Sequence, residues 1–331
     1  MKNFERLVLA VGFATLALLV WKFDPGTVWG FVSSVGWGFL VILPMQLCDH
    51  MLNAVGWRYA FSAPDAARIP FWRLVRVRVA GDGVNYLTPS ATIAGEIVRP
   101  ALLGDGLPAQ TRNSSVVVAK VTQSLGQALF AMAGLLLLLP LSLGFLSGRQ
   151  VWAGLAVSSA IVLAVGAGLT GFCARRRDGS YLWRLREPFG ALRDQTARYL
   201  RENPSRFALS VVFFLLGFAW GAWEVLVISW FLGIPMDFVT ALSVEVLSVL
   251  VDSIFIMVPA KIGTQEAGKT AIFAGLGLSA GKGLAFGLVR HVRELSWAAG
   301  GFALYAWDRR AIARRPAARC PLPAGSAAPE D

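Results

Sequence analysis

Apolar stretches of helix length recur from one end of the chain to the other, and charged residues collect between them. A helix needs roughly 20 apolar residues to cross the ~30 Å hydrocarbon core of a bilayer. On that pattern the chain predicts about six transmembrane helices, near residues 6–21, 33–60, 113–141, 151–172, 207–232 and 283–307. Two more apolar stretches, 79–103 and 238–278, are interrupted by Thr88-Pro89-Ser90 and by Pro259-Ala260-Lys261-Ile262-Gly263. Proline removes a backbone donor and clashes with the preceding turn, so each stretch reads as a broken helix. The first helix follows Met1-Lys2-Asn3-Phe4-Glu5-Arg6 and runs into Trp21-Lys22-Phe23-Asp24-Pro25 without a small-x-small cleavage site. It is expected to be retained as a membrane helix.

Charge placement decides how the interrupted stretches insert. If each is a re-entrant hairpin, one entered from either side, then the N-terminus, Arg68 to Arg78, Arg112, residues 175–206 and the C-terminal tail all face the cytoplasm. The opposite face keeps only Lys22, Arg149 and Lys282 as basic residues, as the positive-inside rule requires. Reading both stretches as full spans would put Arg112 and the loop 175–206, with nine arginines against four acids, on the outside. In that loop Leu182, Leu185, Phe189, Leu192 and Tyr199 recur at helical spacing. They predict an amphipathic helix lying on the anionic leaflet or docked on the protein's own cytoplasmic face, with Pro188 weakening either version.

Setting the two interrupted stretches side by side exposes a repeat. Asp82, Pro89, Glu96 and Arg99 match Asp252, Pro259, Glu266 and Lys269 at a constant offset of 170, which also pairs Arg112 with Lys282 and Lys120 with Arg290. An odd number of predicted spans separates the copies, so the second is expected to sit upside down relative to the first, a plan common in transporters. In each copy the two acids lie seven residues to either side of the proline. With the prolines as hairpin tips, both acids sit at one depth, roughly 10 Å from the tip at 1.5 Å per residue. Arg99 and Lys269 follow their glutamates by three residues, on the same helical face. Lys120, Glu224, Glu245, Arg290, Arg293 and Glu294 are further charges within apolar sequence. Each such charge costs at least ~2.5–3.5 kcal/mol at the bilayer centre, so a polar cavity reaching the midplane is expected. The bland alternative is that the pairs neutralise one another and hold the hairpins, but buried ion pairs are a poor source of stability.

Composition agrees with this picture. The chain has 331 residues, of which 56% are hydrophobic and 15% charged, with a mean hydropathy of +0.58; soluble chains carry about 25% charged residues. The net charge of +11 lies between apolar segments and forms no basic patch with exposed aromatics, so nucleic acid is not an expected partner. Cys48, Cys173 and Cys320 form no CxxC pair, and only His50 and His291 could join them, so no metal site or cofactor is expected. The whole is one transmembrane domain, 1–308, with cassettes at 79–103 and 249–278 and the arginine-rich loop 175–206. A tail, 309–331, begins basic and ends Pro/Ala/Gly-rich, a composition that predicts disorder. The fold class is an all-α polytopic membrane protein with two re-entrant broken-helix hairpins related as an inverted repeat.

Asn85-Tyr86-Leu87-Thr88-Pro89, Gly95-Glu96-Ile97-Val98-Arg99, Lys120, Val258-Pro259 and Gly263-Thr264-Gln265-Glu266 resemble the flippase-like family built on the transmembrane domain of lysylphosphatidylglycerol synthases. The resemblance covers roughly residues 5 to 306 and is greatest to stand-alone members associated with hopanoid biosynthesis. It implies movement of a lipid between leaflets of a bacterial inner membrane. The sequence shows no aminoacyl-transferase domain, so synthesis of lysyl lipid is not expected. Ala260-Lys261-Ile262-Gly263 departs from the more glycine-rich second cassette of many relatives and adds a cation at the tip.

The leading expectation is a flippase for an anionic or phosphate-bearing lipid: a phospholipid, a polyprenyl-phosphate lipid or a hopanoid-related lipid. Arg99, Lys120, Lys269 and Arg290 would bind the head group, and Asp82, Glu96, Asp252 and Glu266 would orient those cations or carry coupling protons. No ATP-binding motif is present, so an ion gradient or downhill flow would supply energy. Two other classes compete. A lipid-modifying enzyme could use paired carboxylates as acid and base, but HExxH, GxSxG and metal-ligand clusters are missing. A non-transporting scaffold would instead use the arginine-rich loop and tail to hold lipid-biosynthesis proteins, which are the second expected partner class after membrane lipids.

Overall fold

A computed structural model of the chain describes residues 24–88, 93–138, 187–255 and 258–313, with isolated helical positions at 18, 21–22 and within 152–163. Among the described residues regular structure is entirely helical. Helix α1 (Pro25–Val35) starts on Asp24, whose carboxylate accepts the Thr27 N–H at 2.9 Å, with Pro25 in the first turn. The capping interaction holds the Asp24 carboxyl below its usual range. A 3-10 turn at Gly36–Gly38, entered through Gly36 at φ +46, redirects the chain into α2 (Phe39–Tyr59). The sequence pattern predicted one helix over 33–60. The apolar run hid the break because glycine backbone freedom leaves no hydropathy signal.

The first cassette forms α3 (Phe71–Leu87) and α4 (Ala94–Leu102), followed by α5 (Ala109–Leu138). Helix α6 (Glu187–Glu202) precedes α7 (Pro204–Phe231). The second cassette forms α8 (Phe238–Ile254), a 3-10 turn at Pro259–Lys261 and α9 (Thr264–Gly275), and the long α10 (Ala280–Ala313) follows. Pro89 and its neighbours to 92 lie outside the described residues, as do most of the predicted helices at 6–21 and 151–172, the loop to 186 and the tail from 314.

Packing follows the repeat. Helices α2 and α7 pack on each other, and α3 packs on α10 as α8 packs on α5. The arms of each cassette, α3 with α4 and α8 with α9, are in contact, and α4 meets α5 as α9 meets α10. Exchanging α2 to α5 with α7 to α10 therefore preserves nearly all of these partnerships. One apolar cluster gathers Trp57, Leu74, Leu102 and Phe214, and a second gathers Ile228, Phe273 and Phe286. Indole groups tie α2 into the bundle: Trp220 donates to the Met45 carbonyl at 3.1 Å and Trp297 to the Leu43 carbonyl at 2.8 Å, on either side of Pro44.

The polarity of the molecule is inverted relative to a soluble fold. Glu224 is buried on α7 while Trp223, Trp230, Leu209 and Leu216 of the same helix are exposed. Segments Pro25–Tyr59, Ala109–Leu137 and Pro204–Phe231 are long and apolar enough to cross a bilayer, each holding an 18-residue stretch of mean hydropathy 1.7, 1.3 and 2.1 in turn. Exposed tryptophans at positions 29, 37, 72 and 307 suit the membrane–water interface. The protein is a helical membrane protein with apolar surface outside and charge inside.

Helix α6 docks on the protein. Thr196 lies 3.0 Å from Ser114 and Gln195 donates to Thr111 at 2.8 Å. Pro188 stands in its first turn, where a missing donor does no harm. Tyr199 is buried and donates its hydroxyl to the Tyr59 carbonyl, and burial pushes its pKa up to about 12. Only the neutral phenol donates, so this contact holds below the ordinary tyrosine pKa and is lost as pH rises through the folded value. Spectrophotometric titration should show one tyrosine ionising near pH 12, and Tyr199→Phe should abolish that late phase.

The α3–α10 crossing depends on two glycines. A Cβ on Gly301 would stand 2.2 Å from the Val79 carbonyl oxygen, and one on Gly83 would stand 2.7 Å from backbone atoms of α10. Neighbouring Gly300 faces open space. Gly301→Ala should cost about 1–3 kcal/mol through forced separation of the helices, read as a lower Tm in detergent. Gly300→Ala should be neutral or stabilising, because alanine is the better helix former.

Candidate functional site

The first cassette closes because its arms touch at backbone distance. A Cβ on Gly95 would stand 2.2 Å from the Gly81 carbonyl oxygen, and the Gly95 N–H donates to Asn85 Oδ1 at 2.6 Å. That approach brings α3 and α4 within reach of a single guanidinium. Arg99 Nη2 donates to Asp82 Oδ1 at 2.6 Å, and Arg99 Nη1 binds Glu96. The two acids placed symmetrically about Pro89 therefore do share one cation, as their spacing predicts. Lys120 on α5 extends the chain of charge, with Nζ 3.5 Å from Glu96 Oε1. Asp82 also accepts from Arg78 Nε at 3.1 Å and lies 3.4 Å from His50 Nδ1 on α2. Arg78 reaches Asn53 Oδ1 at 3.3 Å, and Asn53 in turn donates to Asp49 at 2.8 Å.

The second cassette departs from the first in one arm. Asp252 on α8 takes Lys261 at 2.8 Å and Lys269 at 3.5 Å. Glu266 does not turn to Lys269, one helical turn away. Its Oε2 accepts the Gly263 N–H at 2.9 Å and its Oε1 meets His291 of α10. The reason is the start of α9. The 3-10 turn leaves orphan donors at the helix N-terminus, and Glu266, as the third residue of α9, caps them. Glu96 occupies the same position of α4 and is drawn to Arg99 and Lys120 instead.

A cavity of about 370 Å³ opens between the two halves. Its lining includes Asp49, Asp82, Glu224, Glu245, Asp252 and Glu294 against Arg78, Lys120, Lys261, Arg290 and Arg293, with His50 and Tyr86. The near balance of six acids and five Lys/Arg cations means that wall charges largely compensate one another. Arg290 grips Glu245 through two bonds of 2.5 and 2.9 Å, the bidentate geometry specific to a guanidinium. Arg293 meets Glu224 and lies 3.5 Å from Glu294.

Of the four cations singled out for head-group binding, Lys120 and Arg290 line this cavity, whereas Arg99 and Lys269 do not. Both are buried behind it, at 3% and 0% exposure, and contact its wall through Asp82 and Asp252. Asp82 and Asp252 face the cavity while Glu96 and Glu266 stand behind. Pro259 is in the second tip; Pro89 is outside the described residues. The sequence reading placed Arg78 in a cytoplasmic basic stretch, yet it is buried and bonded within the site. Its four-residue spacing from Asp82 was the available signal. His50 and His291 drew attention only as too few to bind a metal. Their carboxylate partners come from other helices, and local sequence carries no trace of that.

Charge buried in a helical bundle, drawn from both interrupted stretches and enclosed by an apolar exterior, defines a membrane protein with a central polar chamber. The chain belongs to the family of the lysylphosphatidylglycerol synthase TM region, whose model it matches over residues 6–299. No relative is found among curated proteins or among solved structures.

Arg99 is the keystone of the first cassette. Arg99→Met should destabilise the protein by about 1–3 kcal/mol, because two half-buried carboxylates lose their shared cation while keeping Arg78 and Lys120. Adding Asp82→Asn should restore part of the loss, and thermal denaturation in detergent of the single and double variants measures it.

Proposed function

We propose that the protein is a lipid flippase of the bacterial inner membrane that moves an anionic or phosphate-bearing lipid between leaflets without altering it chemically. The observation that carries this reading is the chamber itself: cations and carboxylates from both cassettes converge on one cavity inside an apolar bundle. Such a chamber lets a charged head group cross while acyl chains stay in lipid. Lys120 and Arg290 contact the head group directly; Arg99 and Lys269 act through Asp82 and Asp252. Glu96 and Glu266, each tied to a basic group behind the wall, set the positions of those charges or pass coupling protons. Phospholipids, polyprenyl-phosphate lipids and hopanoid-related lipids all fit this class, and lipid-biosynthesis proteins are the natural partners.

The same reading makes the cassettes re-entrant hairpins related as an inverted repeat, with both termini cytoplasmic. Three observations support its hairpins and their relation. Helices α3 and α8 are each 17 residues long, the helix partnerships survive exchange of the halves, and irregular backbone at the second tip borders the cavity, the setting in which a membrane tolerates it.

In proteoliposomes the protein should move labelled phosphatidylglycerol between leaflets with no change in its mass. Glu96→Gln and Glu266→Gln should each slow that movement by about ten-fold, the effect of one weakened charge-assisted contact, while melting as cooperatively as the parent. Full activity in both would remove these residues from the transport role, and a chemically altered lipid would favour a lipid-modifying enzyme. Orientation has a separate measurement. Single cysteines at the exposed positions Gly106 and Gln110, in a background without native cysteines, should label only from the cytoplasm.

A further inference from the structure

The second hairpin tip carries a cation that the repeat does not require. At the offset of 170, position 261 corresponds to Ala91, so Lys261 belongs to the second half alone. Its backbone sits at φ +53, directly after Ala260 at φ +50. Two consecutive non-glycine residues in the left-handed region are strained and persist only where contacts over-determine them. Here the Lys261 carbonyl accepts from the Thr264 hydroxyl at 3.0 Å and its N–H donates to the Val258 carbonyl at 3.2 Å, while the side chain adds an ionic contact, Lys261 Nζ donating to Asp252 Oδ2 at 2.8 Å. The lysine lines the cavity with 29% of its side chain exposed.

Asp252 is shared between two ammonium groups. Lys269 Nζ lies 3.5 Å from its other oxygen, fully buried, and makes no hydrogen bond among the described residues. A buried donor left unsatisfied is costly, so Lys269 would gain if Asp252 turned wholly to it. What prevents this is Lys261, on the cavity side. The cavity's arginines lack this arrangement: Arg290 can meet a head group but holds both oxygens of Glu245 while it does so, Arg78 is buried between Asp82 and Asn53, and Arg293 is buried against Glu224 and Glu294.

We propose that Lys261 is the residue that takes the phosphate of the cargo lipid in exchange for Asp252, and that this exchange releases the second hairpin tip. A phosphate oxygen arriving through the cavity replaces Asp252 Oδ2 on the lysine. Asp252 then closes on Lys269 and satisfies the buried ammonium. The tip loses the ionic contact among those that hold its left-handed pair and loosens. Only hydrogen bonds and ion pairs exchange. A lysine ammonium is a point charge, so phosphomonoester and phosphodiester head groups both qualify. The device is one-sided, since Asp82 in the first cassette is held by two arginines. The inference rests on the reading of the cavity as a passage for a phosphate-bearing lipid.

Binding of short-chain phosphatidylglycerol to the purified full chain in detergent tests it, with diacylglycerol as the uncharged probe and inorganic phosphate as competitor. Lys261→Gln should weaken phosphatidylglycerol binding about ten-fold or more, as loss of a charge-assisted contact does. Diacylglycerol binding should be unchanged, and Lys261→Arg should retain most of the affinity. Equal affinity in Lys261→Gln, or a parallel loss for diacylglycerol, overturns the assignment. Inorganic phosphate competing at the same concentration as the lipid overturns its lipid part. Tip release is read by hydrogen exchange over 258–263, which should quicken on addition of phosphatidylglycerol. Ala260→Gly, which keeps the ammonium and removes strain at φ +50, should blunt that quickening. Exchange that lipid leaves unchanged in the parent, or quickens equally in Ala260→Gly, sinks the release step. Wild-type protein that binds phosphatidylglycerol through Lys261 yet moves no lipid would overturn the transport reading alone.

Discussion

A charge inside an apolar bundle needs a counter-charge at hydrogen-bond distance, and most of this architecture follows from meeting that need. Arg99 holds Asp82 and Glu96 together, so α3 and α4 must close as arms of one hairpin. Asp252 does the same for α8 and the second tip through Lys261. Arg290 and Arg293 on α10 reach across to Glu245 on α8 and Glu224 on α7. Apart from Arg99–Glu96 within α4, these pairs join different elements, so moving one element against another means exchanging partners. Glycines at the arm contact and at the α3–α10 crossing allow the approach that these short bonds demand. Buried ion pairs contribute little net stability over apolar packing. Retaining so many is better explained by a task that needs polarity at depth.

The two halves solve the same problem differently. In the first, Glu96 serves the cation network; in the second, Glu266 caps its own helix and meets His291. The second tip compensates with Lys261, which leaves one carboxylate between two ammonium groups. A passage that binds and releases charge benefits from such asymmetry. A perfectly compensated wall would hold its own partners too firmly to accept a ligand, and an uncompensated one would cost too much to bury.

Much of the site was legible in the sequence because its logic is local. The seven-residue spacing of Asp82 and Glu96 about Pro89, and the three-residue step to Arg99, were sufficient to predict a shared ion pair. The constant offset of 170 foreshadowed matching helix partnerships in both halves. The second cassette, with nearly the same residues, misled the same reasoning. Helix capping at Gly263 competes for Glu266 and wins, and that competition depends on turn geometry that spacing does not encode. Arg78 was misplaced for a related reason: a basic residue near the end of an apolar run reads as loop until its partner on the next turn is seen to be buried.

Hydropathy and charge by themselves determined that this is a helical membrane protein with two interrupted, charged stretches, because helix period and bilayer thickness act on residues close in the chain. The tertiary structure alone decided which cations face the cavity. Lys120, Lys261 and Arg290 line it, while Arg99 and Lys269 stand behind their aspartates. It also decided that His50 and His291 meet cassette carboxylates from distant helices. Those outcomes depend on how helices rotate and cross, and rotation is settled by packing and by partners far away in sequence.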